Sequence, residues 1–199
     1  MSGGRESLQM RETGLDLSET GLMDAPTSVP TITGSGLRLR PWALADAACL
    51  EPACGDADIC RFTTVPPRYT PESAAAWIRR QHDRTSDGVG IVLAIEPESV
   101  RKPVGMAGLF GLAEPGPAAR FGYWIMREHR GNGLSSKSVR LVANWAFSHL
   151  GIELIHIDVE PQNTVSQRVA LAVGARFERQ LTRQFTGETV LLDRFTLLP

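Results

Sequence analysis

The 199-residue chain is 42% hydrophobic and 22% charged, with a formal net charge of -1. That suits one globular domain with a full core and argues against a nucleic-acid binder that relies on bulk positive charge. No uninterrupted apolar run approaches the ~20 residues of a membrane span, and the N-terminus lacks the apolar stretch of a signal peptide. No membrane partner is therefore expected, and the expected setting is the cytoplasm. The three cysteines, Cys49, Cys54 and Cys60, form no C-x-x-C pair and complete no zinc-ligand spacing. They read as reduced thiols, and no metal is expected.

Residues 1–34 are rich in Ser, Thr, Gly and Glu and read as an arm outside the core. Leu15, Leu17, Leu22 and Met23 give that arm something to bury against its own or another subunit. The folded domain is expected over 35–199. "LRLRPW" (37–42) alternates apolar and basic residues, as a half-buried strand does. "ALADAACLEPAC" reads as a helix. "YTPESAAAWIRRQHDR" reads as a clearer one, with Thr70 placed to cap it and Pro71 in its first turn. Three strands separated by turn residues follow, in "GIVLAIE", "PVGMAGLFGL" and "RFGYWIM". Val139, Val142, Ala143, Ala146, Phe147 and Leu150 then make one helical stripe, which Gly151 ends. In the next strand, "IELIHIDVE", Ile155, Ile157 and Val159 face one way while His156, Asp158 and Glu160 face the other. A short helix with Asn163 at its N-cap and Gly174 after its end leads into a closing hairpin. The order predicts an α+β fold with a largely antiparallel sheet and helices on its faces.

The stretch Arg130-Gly131-Asn132-Gly133-Leu134-Ser135 lies between a strand and a helix. A helix N-terminus carries unpaired N–H groups and the positive end of the helix dipole, and glycines let a pyrophosphate approach those groups closely. The stretch has neither the Walker lysine pattern nor G-x-G-x-x-G. Taken alone, a glycine turn before a helix usually serves only the turn.

The order of this loop, the amphipathic helix, the strand, Asn163-x-x-Ser166, the second helix, Gly174 and Phe177 resembles the GNAT superfamily of acyl-CoA-dependent N-acyltransferases. The superfamily's loop signature is Q/R-x-x-G-x-G/A; Arg130 and Gly133 match it, and Ser135 stands at the last place. "LRLRPW", "FGYWI" and "PQNTVSQRVALAVGARF" resemble the branch of ribosomal-protein N-terminal acetyltransferases. The resemblance covers roughly residues 36–198. It implies a mixed, mostly antiparallel sheet with splayed central strands. Acetyl-CoA would be the co-substrate, its pyrophosphate cradled by the backbone of Arg130, Gly131, Asn132, Gly133, Leu134 and Ser135. Asn163 would lie beside the pantetheine arm and Ser166 near the sulfur, with the cofactor wedged against Trp124 and Ile125. Lys137 and Arg168 are candidates for the 3′-phosphate.

Each of these residues also has a plainer reading. Asn163 serves as an N-cap, Ser166, Lys137 and Arg168 as solvated surface, and Trp124 as core. The sequence also departs from the superfamily. The tyrosine acid often found seven residues after the asparagine is Ala170 here, and the place of a carboxylate base two residues before "GYW" holds Arg120. His156, Asp158 and Glu160 share a strand face and are the substitutes available. The reading is an N-acetyltransferase whose primary-amine acceptor attacks the thioester directly. The rival is a non-catalytic acyl-CoA-binding or partner-binding module of the same fold. A homodimer is expected from the arm and the open edge of the closing hairpin.

Overall fold

A computed structural model describes residues 31–185 and 187–199; the arm's leucines and Met23 lie outside the described residues. An eight-stranded sheet runs in the order β1-β2-β3-β4-β5-β6-β8-β7. Its strands are β1 (Ile32–Gly34), β2 (Leu37–Pro41), β3 (Gly90–Pro97), β4 (Gly105–Phe110), β5 (Ala118–Ile125), β6 (Leu154–Val159), β7 (Arg176–Phe185) and β8 (Glu188–Leu197). Every pairing is antiparallel except β5 with β6. The fold is the expected α+β arrangement. The sheet begins slightly before the expected domain boundary at residue 35, because β1 pairs with β2 through Ile32↔Leu39 and Gly34↔Leu37.

Helices cover both faces. On one lie α4 (Leu134–His149) and α5 (Thr164–Ala172). The predicted α4 stripe is the buried one: Val139, Val142, Ala143 and Ala146 are at most 1% exposed, while Lys137, Arg140, Asn144 and Ser148 stay in solvent. The stripe packs on Leu39, Leu93, Leu109 and Ile155 of the sheet. On the other face, α3 (Pro71–Ser86) starts as predicted, with Thr70 Oγ1 accepting from the Ser73 N–H and Pro71 in the first turn. Ala74, Trp77 and Ile78 of α3 bury against Trp42, Val92, Ala94 and Trp124. The rings of Trp42 and Trp77 meet edge to face at 5.3 Å, and Trp124 lies 6.1 Å from Trp42.

The expected single helix over "ALADAACLEPAC" is divided. A 3-10 helix, Leu44–Leu50, passes into the single turn α1 (Glu51–Cys54), with Pro52 near the start of that turn. Proline in mid-helix would remove a hydrogen bond and clash with the preceding turn, so one straight helix through it is excluded. A further short helix, α2 (Ala57–Phe62), was not anticipated. Its signal was Asp56, whose carboxylate caps the Asp58 and Ile59 N–H groups at 3.0 and 3.2 Å.

The tryptophan cluster joins α3 to the sheet and holds Trp124 at the end of β5. Trp77→Ala should lower unfolding stability by about 3–5 kcal/mol, as for other buried large-to-small changes. Urea unfolding followed by circular dichroism measures this, and a loss below ~1 kcal/mol would show that the cluster does not tie the two layers together.

Candidate active site

β5 and β6 pair only through Ala118↔Leu154, Ala119↔Ile155 and Arg120↔His156. Beyond Arg120 the two strands part, although β5 runs to Ile125 and β6 to Val159. On its other edge β5 stays in register with β4 as far as Ile125, and the Met126 N–H still reaches Val104 O. Backbone groups alternate in direction along an antiparallel pair. Met126 turns toward β4, so beyond the last pairing Tyr123 and Ile125 turn their backbone groups into the gap. The opening is thus lined by β5 donors and acceptors that no strand takes up.

The glycine loop lies at the end of β5, ahead of α4. Gly131 and Gly133 have φ of +80° and +69°, a region that other residues enter at a cost. A Cβ built on either would meet no protein atom within 4 Å, so space toward the loop is left open. Gly133 caps α4 without any side-chain acceptor, and the first N–H groups of that helix therefore have no intrahelical partner. This cradle fits a pyrophosphate. A cavity of about 690 Å³ opens over it. Trp124, Ile125, Arg130, Gly131, Gly133, Leu134 and Ser135 line it from the loop side, and Asn163, Ser166 and Arg168 from α5. Asn132 and Lys137 are not in its wall. Asn132 turns its amide back to the His129 and Arg130 carbonyls, and Lys137 is exposed on the outer side of α4.

The Arg130 side chain is spent on structure. Its Nε donates to Ile125 O at 2.9 Å, and its guanidinium pairs with Asp56 at 2.8 Å and Asp58 at 3.4 Å. The Asp56 side chain is 4% exposed. Burial pushes its pKa up, but the Ile59 N–H and Arg130 outweigh burial and hold it below the ordinary carboxylate range. One carboxylate thereby caps α2 and clamps the loop. Asp56 was invisible as a site residue in the sequence, since 74 positions separate it from Arg130.

A second cavity, of about 390 Å³, meets the first. Phe62, Thr63, Tyr123, Asn163 and Ser166 line both. The Asn163 side chain accepts from the Ser166 N–H at 3.1 Å, so its cap role is real and fixes the turn that presents Ser166. Tyr123 was not singled out in the sequence. Its hydroxyl is buried near Ser166 without a regular hydrogen bond among the described residues. Burial, the largest influence, pushes this phenol's pKa up. The nearby "GYW" pattern was its only sequence signal.

Glu160 lines the second cavity, where Arg61 pairs with it at 3.3 Å and the Gln162 amide also reaches it. Asp158 lines it too, held by Arg194 at 2.7 and 2.9 Å and by Arg183 at 2.9 Å. His156 lines neither cavity. It shares a strand face with Glu160 but sits four residues earlier, about 13 Å along the strand, where β5 and β6 are still paired. Its ring faces Thr196 Oγ1 at 3.1 Å and Glu178 at 3.7 Å. Burial and then Arg194 push its pKa below the ordinary histidine value. Ala170, at the place of the missing tyrosine acid, is 0% exposed and packs in the core.

A sheet parted at its one parallel pairing among the described residues, with two cavities meeting in the gap, defines a site where two substrates can be brought together. The sequence matches the profile of the Acetyltransferase (GNAT) domain over residues 36–176, and the chain belongs to that family. It is therefore an acyl-CoA-dependent acetyltransferase. It is 26% identical over 170 residues to the uncharacterized N-acetyltransferase p20 of Bacillus licheniformis, covering 84% of this chain and 96% of that protein. Its fold is shared with the microcin C7 self-immunity acetyltransferase MccE, solved with acetyl-CoA and AMP (TM-score 0.75, 16% identity, 87% of this chain and 99% of that one). It is shared also with Mycobacterium smegmatis RimJ, solved with a coenzyme A disulfide (TM-score 0.69, 21% identity, 81% of each chain).

Asp56→Asn keeps a cap on α2 but removes the charge that clamps Arg130. It should cost about 1.5–3 kcal/mol of stability at neutral pH, the range for a hydrogen bond to a charged group. Because the folded pKa of Asp56 is depressed, its contribution is complete above the unfolded value of ~3.9 and is lost as pH falls through the lower folded value. Chemical unfolding of parent and variant from pH 7 down to pH 3 should therefore show a constant difference that narrows only at the acid end. A difference that is already gone at pH 6 would disprove the clamp.

Proposed function

We propose that the chain moves an acetyl group from acetyl-CoA to a primary amine by direct attack, with the donor in the larger cavity and the acceptor in the smaller one. The observation that carries this reading is the junction of the two cavities at Tyr123, Asn163 and Ser166, where β5 and β6 part. The backbone from Arg130 to Ser135 and the first turn of α4 hold the pyrophosphate. Arg168, in the cavity wall, takes the 3′-phosphate, and Lys137 is left to solvent. The thioester carbonyl lies in the gap, and the Tyr123 N–H, turned away from β4, stabilises the oxyanion of the tetrahedral intermediate.

Amines have pKa values from about 8 for an α-amino group to about 10.4 for lysine, so a proton must leave before or during attack. Glu160 is the carboxylate placed to orient that amine, with water carrying the proton away. When the intermediate collapses, the C–S bond breaks and the sulfur leaves as thiolate. Ser166 or Tyr123 then supplies its hydrogen bond or proton. A phenol kept protonated by burial suits that role, and it supplies a donor that position 170 lacks. His156 is too far along β6 to act.

The acceptor is taken to be a protein N-terminus or a small amine. Homodimerisation through β7, a ten-residue edge strand on which Phe177 is 55% exposed, and a cytoplasmic setting belong to the same reading. Three free thiols fit a reducing compartment.

Two experiments test the reading. Gly133→Val forces a β-branched residue into positive φ and fills the open side of the loop. Calorimetry with acetyl-CoA should show at least a tenfold loss of affinity; equal affinity, or none in the parent, would defeat the donor assignment. For the chemistry, thiol release at saturating acetyl-CoA should fall about ten- to a hundredfold in Ser166→Ala and in Tyr123→Phe, one charge-assisted hydrogen bond each. Full activity in both would make the junction structural. Absence of thiol release from the parent with any amine would favour the non-catalytic module.

A further inference from the structure

The smaller cavity has an uneven charge distribution. Its wall carries three guanidiniums, Arg84 from α3, Arg120 from β5 and Arg183 from β7, and two carboxylates, Asp158 and Glu160. Asp158 is held by Arg183 and Arg194, while Glu160, assigned above to the amine, meets Arg61 at 3.3 Å, whose side chain is 60% exposed. Arg120 pairs with Glu114 at 2.5 Å, but the Glu114 side chain is 59% exposed, so the pair is open to water and easily exchanged. Arg84 has no ion-pair partner among the described residues. Its guanidinium lies 5.8 Å from the centre of the Phe110 ring, which also belongs to the wall. Five guanidiniums thus face three carboxylates across the wall and its partners. The rest of the wall is mixed: Met106, Phe110, Val190 and Leu192 make an apolar part, and Thr63, Thr64, Tyr123, Asn163 and Ser166 a polar one.

We propose that the acceptor is a primary amine that also carries a carboxylate or phosphate, bound by Arg84 with Arg120 beside it. This rests on the acceptor assignment of the cavity made above. An unpaired guanidinium over an aromatic face, in a cavity where Asp158 is held by two arginines and Glu160 is left for the amine, favours an anion and repels a second cation. The separation follows from β5. Arg120 is three residues from Tyr123, about 10 Å along the strand, so the anionic group lies roughly that far from the reacting nitrogen. An extended peptide covers the distance in about three residues, which places an acidic side chain near the third position. A small aminoalkyl acid of the same span has the same chemistry. Met106, Phe110, Val190 and Leu192 offer the stem between the two ends an apolar surface.

The test measures thiol release from saturating acetyl-CoA with matched acceptors: the peptide amides Ser-Ala-Glu-Ala, Ser-Ala-Gln-Ala and Ser-Ala-Lys-Ala, and 8-aminooctanoate beside its primary amide. The parent should prefer the anionic member of each set by at least about tenfold in kcat/KM, the size of one charge-assisted hydrogen bond. Arg84→Gln should reduce the preference and Arg84→Glu should reverse it toward the lysine peptide, while calorimetric affinity for acetyl-CoA stays unchanged. Preference for the glutamate peptide alone identifies a polypeptide acceptor, and preference for 8-aminooctanoate alone a small one. Efficient turnover of the neutral or lysine acceptors by the parent, or a preference unmoved in Arg84→Glu, overturns the proposal while leaving the transferase reading intact. If no acceptor releases thiol, calorimetry of the coenzyme A-loaded protein with the same compounds decides. Arg84-dependent binding of the anionic members upholds the proposal without the chemistry, and equal or absent binding ends it.

Discussion

Three register pairs hold β5 to β6, and the gap between the strands begins where they stop. A sheet whose centre is unzipped leaves backbone donors and acceptors inside the molecule without a strand to satisfy them. Such groups cost free energy unless something else pairs with them. A ligand with its own amide and carbonyl groups can complete the sheet, while the neighbouring registers, β4 with β5 and β6 with β8, hold each strand on its outer side.

The two faces of the sheet divide the labour. On one face, α4 and α5 bring a glycine-entered helix start and a capped serine to the end of β5. On the other, the tryptophan cluster fixes α3 and with it the guanidinium of Arg84. The two cavities meet between these layers, and Phe62, Thr63, Tyr123, Asn163 and Ser166 line both.

Much of the fold could be read from local pattern. The α4 stripe, the Thr70 and Asn163 caps and the alternation along β6 depend on neighbours a few residues apart, and each appears as read. What could not be read depends on pairs far apart in the chain. The Arg130–Asp56 ion pair joins positions 74 apart, and nothing at either position announces the other. His156 shows the converse limit: it faces the same way as Glu160 but lines neither cavity, because face says nothing about distance along a strand. Tyr123 went unnoticed because an aromatic in a strand before a loop is ordinary. Only its buried, unpartnered hydroxyl at the meeting of two cavities sets it apart.

Asp56 also has a thermodynamic consequence. It caps the helix whose last residue, Phe62, walls both cavities, and through Arg130 it grips the glycine loop at the end of β5. The Asp56 side chain is 4% exposed, so removing Arg130 would leave a nearly buried charge without its nearest cation, and a disturbance at either element reaches the other through the same carboxylate.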